Sequence, residues 1–159
     1  MSGYNHNGVK YGTLTYSSDT PRYNCSSTFN GSNTYIEADS LPSETKTISV
    51  WIKTTWSSAS GGYKMVFLDK NTRLAIGFSD TRILTYVGSE SGTQFQTSGL
   101  YVANQWNHLV LIKTGDQTRV LYLNGVEVPV YGTNYWAGDL EKLNIGVRHN
   151  SSYSAYFVG

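Results

Sequence analysis

Two apolar runs joined by Asn124-Gly125 constrain this chain more than any other feature. Val120-Leu121-Tyr122-Leu123 precedes the dipeptide and Val126-Glu127-Val128 follows it. Asn-Gly tolerates the positive φ angles that a type I′ turn needs at both central positions, so the segment predicts a tight antiparallel hairpin. Pro129 then removes a ladder donor, which puts the returning strand at a sheet edge. Upstream, His108-Leu109-Val110-Leu111-Ile112 is apolar on both faces, as expected of a central strand covered on both sides. Gly115-Asp116 turns the chain between these runs.

The same punctuation recurs along the whole chain. Short apolar or alternating runs return roughly every 8 to 15 residues between Gly, Asn, Asp and Ser, the spacing of a sandwich or barrel. Thr47 to Thr54 is the strongest early strand, with Ile48, Val50 and Ile52 on one face and Ser49, Trp51 and Lys53 on the other. Met65-Val66-Phe67-Leu68, then Leu74, Ile76 and Phe78, then Ile83 to Val87 predict a meander. Shorter strands are expected at Tyr11 to Tyr16, around Phe95 and at Leu143 to Val147. Thr28-Phe29-Asn30 and Tyr35 to Ala38 flank Gly31-Ser32 and predict a hairpin. No window of ordinary helix length carries the i, i+3, i+4, i+7 pattern. The fold class is therefore all-β, in one domain over 1–159, with no internal repeat or linker.

Composition excludes several partners. The formal net charge is +1 and the 12 basic residues stand singly, so no field recruits nucleic acid or an anionic membrane. No apolar stretch approaches the roughly 20 residues that span a bilayer. One cysteine, Cys25, rules out an intrachain disulfide and a cysteine zinc cluster, and reads as a packed or partly buried thiol rather than a nucleophile. No charged-then-apolar leader follows Met1.

Trp106-Asn107-His108-Leu109-Val110-Leu111, followed by Arg119 to Val126 with its Leu-Asn-Gly hairpin, resembles the core signature of laminin G-like domains. Thr47-Ile48-Ser49-Val50-Trp51-Ile52-Lys53 is similar to the early Trp-bearing strand of that family, and Phe29-Asn30-Gly31-Ser32 with Tyr35-Ile36 extends the match. The resemblance implies an antiparallel jelly-roll sandwich of two sheets, of the concanavalin A-like lectin-glucanase class. Asp19-Thr20-Pro21-Arg22-Tyr23 before Phe29-Asn30-Gly31-Ser32 looks like a subset found in bacteriophage structural, tail-associated proteins. A virion or extracellular location is expected from that resemblance. Two departures stand out. Met1 precedes Ser2-Gly3 where relatives carry Asp, and the closing strand usual after an aromatic-hydrophobic-Gly like Phe157-Val158-Gly159 is not in the sequence. The domain is therefore expected to be truncated before its last strand, leaving an open sheet edge for self-association.

Sugar recognition uses aromatic faces for stacking with amides and carboxylates for hydroxyls. Tyr131, Asn134, Tyr135 and Trp136 supply both within one loop, and Trp56, Tyr63 and Tyr153 join them if their loops cluster at one end. Trp51 and Trp106 are expected in the core. Glycoside hydrolysis needs two carboxylates flanking the sugar bond. Glu37 and Asp39 alternate by two, but Leu41 and Pro42 stand where related glucanases carry a third acid. His6, His108 and His149 lack close ligand partners, and no Gly-x-Ser-x-Gly elbow marks a nucleophile. Asp69, Asp80, Asp116 and Asp139 are spread singly, as turn residues are. No cofactor is expected, with calcium, bound by some laminin G-like domains, the one ion left open. Asn24-Cys25-Ser26, Asn30-Gly31-Ser32 and Asn150-Ser151-Ser152 are formal glycosylation triplets of the kind a chain rich in Asn and Ser carries by chance. The reading is a non-catalytic module that binds a glycan or protein on a cell surface or within a virion. A structural assembly domain is the alternative, and a glycoside hydrolase ranks last.

Overall fold

A computed structural model describes residues 8–21, 25–38, 47–55, 63–69, 74–79, 82–87, 95–114, 119–129, 143–149, 153–154 and 156–159. Strands β1 (Gly8–Tyr11), β2 (Thr15–Ser17), β3 (Ser26–Thr28), β4 (Tyr35–Ala38) and β5 (Thr47–Ile52) come first. The meander β6 (Tyr63–Asp69), β7 (Leu74–Ser79), β8 (Arg82–Val87) and β9 (Phe95–Leu100) follows. Then come β10 (Asn107–Lys113), β11 (Arg119–Leu123), β12 (Val126–Val128), β13 (Leu143–Ile145), β14 (Arg148–His149) and β15 (Tyr153–Ser154). No helix occurs among the described residues.

The strands form two main sheets. One has seven strands in the order β1-β4-β13-β6-β7-β8-β9, and the other has four in the order β12-β11-β10-β5. All pairings are antiparallel, as in an all-β sandwich. Two short pairs, β2-β3 and β14-β15, stand beside them.

Alternation explains the core. Leu109 lies opposite Val50 and Leu123, and Leu111 lies opposite Ile48 and Leu121, so period two turns these side chains to one face. Leu109, Leu111 and Leu121 are wholly buried, against Ile76 and Phe78 of β7 from the other sheet. Each such side chain contributes about 1.5–3 kcal/mol on burial. β12 approaches β9, which closes one flank of the sandwich.

Three sequence expectations meet the structure directly. Asn124 and Gly125 have φ of 51° and 83°, as a type I′ turn requires. β12 is an edge strand and β6 to β9 form a meander. The hairpin expected across Gly31-Ser32 does not form. β3 pairs with β2, whereas β4 pairs with β1 and β13. Asn30 is the reason: its Oδ1 accepts from the Ser32 and Asn33 N–H groups and from the Thr34 N–H and hydroxyl, at 3.0, 3.1, 3.3 and 3.0 Å. This side chain takes the backbone donors a hairpin ladder would use, and the loop passes between sheets. Its Nδ2 donates to Asn33 Oδ1 at 2.6 Å, so the amide of this glycosylation triplet is engaged in the loop.

The final residues return to this loop. Val158 bridges Asn30 in antiparallel sense. The Phe29 N–H donates to the Gly159 carbonyl at 2.7 Å, and the Gly159 N–H donates to the Phe29 carbonyl at 3.2 Å.

Candidate binding cleft

A cleft of about 640 Å³ opens along the outer edge of β5. Its composition follows from strand alternation. Val50 and Ile52 reach it from the inner face of β5, whereas Ser49, Trp51 and Lys53 reach it from the outer face. The cleft therefore wraps around a strand edge. Ser26, Ser27 and Thr28 of β3 form the opposite wall, and Phe29, Val66, Ile145 and Phe157 form an apolar floor. Val66 reaches the floor where the β6–β7 register shifts between Met65 and Phe67. The Gly146 N–H donates to its carbonyl at 2.7 Å.

The mouth is polar and aromatic. Trp106 precedes β10 on the register row beside Lys53, and Trp51 lies opposite His108. Both tryptophans are half-buried. This corrects their assignment to the core: odd positions of β5 and even positions of β10 face away from Leu109 and Leu111, onto the outer side of the four-stranded sheet. Trp51 stacks on His108 with centroids 4.5 Å apart and planes 11° apart. A 2.8 Å hydrogen bond joins Ser49 Oγ and His108 Nε2, which gives His108 a structural partner.

Asp19 ties the mouth together from the loop after β2. Its carboxylate accepts from Lys53 Nζ at 2.6 Å and from Trp106 Nε1 at 3.0 Å. Ser26 Oγ donates to the Asp19 carbonyl at 2.8 Å, and the Asp19 N–H donates to Ser17 Oγ at 3.0 Å. The hydrogen bond from Lys53, then that from Trp106, holds the Asp19 carboxyl below the ordinary aspartate range. Sequence reasoning passed over this trio because its members lie far apart in the chain. The one available signal was that Trp51 and Lys53 share the polar face of β5.

Of the residues expected to bind ligand, Tyr131, Asn134, Tyr135, Trp136 and Trp56 lie outside the described residues. Tyr63 starts β6 and Tyr153 starts β15, and their side chains likewise fall outside the description. Cys25 is exposed at the cleft wall rather than packed.

Glu37 and Glu127 do not flank a common site. Glu37 lies on the outer face of the seven-stranded sheet, since its neighbour Ile36 packs on the core. Glu127, opposite Tyr122, lies on the outer face of the four-stranded sheet. Two packed sheets, spaced roughly 10 Å apart, separate them. Asp39 is outside the described residues. Among the described residues, no group of three His, Cys, Asp or Glu could hold a metal ion. Among the described residues, no helix is long and apolar enough to cross a membrane.

Comparison with solved structures finds similar folds. The botulinum neurotoxin serotype C1 binding domain aligns with TM-score 0.69 at 16% identity, covering 91% of this chain and 38% of that one. The binding domain of botulinum neurotoxin DC in complex with rat synaptotagmin II aligns with TM-score 0.69 at 14% identity, covering 91% and 39%. The same toxin domain in complex with SialylT gives 0.66 at 15%, with coverage of 91% and 39%. This chain thus spans about two fifths of each toxin chain, and at such identity the likeness shows the fold. No curated protein matches the chain. The family model described as the concanavalin A-like lectin/glucanases superfamily matches residues 29–159. With its two antiparallel sheets and a match over most of its length, the chain belongs to the concanavalin A-like lectin/glucanase superfamily.

Proposed function

We propose that this domain is a non-catalytic recognition module whose cleft mouth binds a glycan. The observation that carries the reading is the cluster of two half-exposed tryptophans, Trp51 and Trp106, beside the Asp19 carboxylate and the Lys53 ammonium. Ring faces suit the apolar faces of a pyranose, while the carboxylate and ammonium suit its hydroxyls and any acidic substituent. Cell entry of botulinum neurotoxin type C, which shares this fold, is dependent upon interaction with two ganglioside molecules, and the binding domain of botulinum neurotoxin DC forms complexes with SialylT and with rat synaptotagmin II. Those neighbours support recognition of a glycan or protein as a use of this sandwich. The loop with Tyr131, Asn134, Tyr135 and Trp136 is a second candidate surface, with Trp56, Tyr63 and Tyr153. A virion or extracellular setting completes the proposal.

The test is a glycan array followed by titration of the best hit. Trp51→Ala and Trp106→Ala are each expected to weaken binding about tenfold, the effect of losing ~1.4 kcal/mol of stacking. Tyr135→Ala with Trp136→Ala measures the loop. If only that double variant loses binding, the mouth is the wrong site. If no glycan is retained at millimolar concentration, the glycan reading fails.

An assembly role is the second reading, and the exposed apolar side chains of Val9, Tyr11 and Tyr16 favour it.

A further inference from the structure

We propose that Lys53 and Trp106 form an anion site, occupied by Asp19 in the free protein, and that the glycan bound at the mouth carries a carboxylate that takes the place of Asp19. The inference rests on the glycan reading and names the class of sugar, an acidic pyranose such as a uronate or a sialate.

The donors point to an anion. Lys53 Nζ and Trp106 Nε1 converge on one carboxylate, at 2.6 Å from Asp19 Oδ2 and 3.0 Å from Asp19 Oδ1. An ammonium and an indole N–H donate and cannot accept, so a charged group with two acceptor oxygens is their matched partner. The sheet itself places the pair. Trp106 stands on the register row beside Lys53, where the ladder between β5 and β10 begins. Both stems are therefore fixed whether or not Asp19 is engaged.

The Asp19 carboxylate is replaceable. The Lys53 and Asp19 side chains are 36% and 54% exposed, so a ligand reaches them from solvent. At that exposure an ion pair shifts an equilibrium by less than about fivefold, and Asp19 returns to water at little cost. The backbone of its loop is anchored separately. The Asp19 N–H donates to Ser17 Oγ at 3.0 Å, and the Asp19 carbonyl accepts from Ser26 Oγ at 2.8 Å. Rotation of the side chain alone frees both donors while the loop keeps its place. An incoming carboxylate then remakes both bonds.

The surroundings select a sugar acid. Trp51 stands two residues before Lys53 on the same face of β5, about 7 Å along the strand. That spacing lets a pyranose rest on Trp51 while its carboxylate reaches Lys53 and Trp106. Among the described side chains that line the cleft, Asp19 and Lys53 are the charged ones. With Asp19 turned out, Lys53 faces the ligand and the mouth prefers an anion. The site consists of side chains on the outer face of the four-stranded sheet and uses no backbone group of the β5 edge.

The experiment titrates the 159-residue chain with a glucuronate-terminated and a sialate-terminated trisaccharide, followed by calorimetry. Each is paired with its carboxamide, which keeps the shape and removes the charge. The acid is expected to bind about tenfold more tightly than the amide. Asp19→Asn removes the competing charge, so it should tighten the acid by about threefold to tenfold and leave the amide unchanged. Lys53→Met should erase the preference for the acid. In the unsubstituted chain, saturation with the acid should raise the Asp19 carboxyl toward the ordinary aspartate range by NMR, because Lys53 and Trp106 no longer hold it. That readout carries the test if Asp19→Asn misfolds. Weaker acid binding by Asp19→Asn, equal tightening of acid and amide, or an Asp19 carboxyl that stays low at saturation overturns the proposal. So does a glutamate-rich peptide that binds where both acids fail, which would make the occupant a protein. If acid and amide bind alike, or only neutral glycans bind, the acidic ligand is wrong and the glycan reading survives. Silence of the whole glycan array at millimolar concentration removes both.

Discussion

Gly146 and Gly125 share a backbone conformation and differ in their surroundings, which makes the pair a measurement of packing behind the cleft. Their φ angles are 85° and 83°. A Cβ on Gly146 would stand 2.5 and 2.6 Å from two ring carbons of Phe29, whereas one on Gly125 would meet nothing within 4 Å. Alanine in the left-handed region costs about 1–2 kcal/mol. Its stiffer unfolded chain returns about 0.4–1 kcal/mol. Gly125→Ala should therefore cost about 1 kcal/mol or less. Gly146→Ala adds an overpacking cost of about 1–3 kcal/mol. The Phe29 ring cannot simply swing away, because it sits edge-on to Phe157 at 6.0 Å, and Phe157 lies 6.4 Å from Phe78. The sum is about 2–4 kcal/mol for Gly146→Ala. At roughly 2–4 °C per kcal/mol for a domain of this size, a ~3 kcal/mol loss lowers the melting temperature by about 6–12 °C. Urea unfolding of both variants, with unchanged m-value, is the assay. Equal destabilisation of the two would show that Phe29 relaxes freely and that the floor is not packed as described.

Three further outcomes are expected. Leu111→Ala empties a wholly buried site and should cost about 2–5 kcal/mol in the same assay; a loss under 1 kcal/mol would place Leu111 outside the core. Asn30→Ala removes the acceptor for three backbone N–H groups and the buried Thr34 hydroxyl, with an expected loss of about 1–3 kcal/mol. Retention of full stability would mean that water replaces the side chain without cost. Asp19 should titrate below the ordinary aspartate range by NMR, because Lys53 and Trp106 hold its carboxylate. A folded pKa below the unfolded value contributes stability that is present at neutral pH and lost as pH falls through that folded pKa. Lys53→Met should move the midpoint upward, and an unmoved midpoint would refute the assigned cause.

Local patterns carried most of the fold. Asn124-Gly125 defined its turn because only a few residues accept positive φ in succession. Ile48, Val50 and Ile52 declared their shared face because strand side chains alternate. Gly31-Ser32 misled for the converse reason: a turn-like dipeptide says nothing about which strands pair, and the hydrogen bonds accepted by Asn30 diverted the chain. Trp51 and Trp106 are expected in the core from the sequence, whereas their register with respect to Leu109 sends them outward.

The amino-acid sequence by itself determined the all-β class, the meanders, the edge position of β12 and the inward rows of the core, since each depends on residues close in the chain. Only the tertiary structure decided that Asp19, Lys53 and Trp106 meet, and that β5 and β3 face each other across an open cleft. Hydrogen bonds and strand edges brought together across tens of residues leave no periodic trace in sequence. They exist only once two sheets of unequal width have closed on a common core.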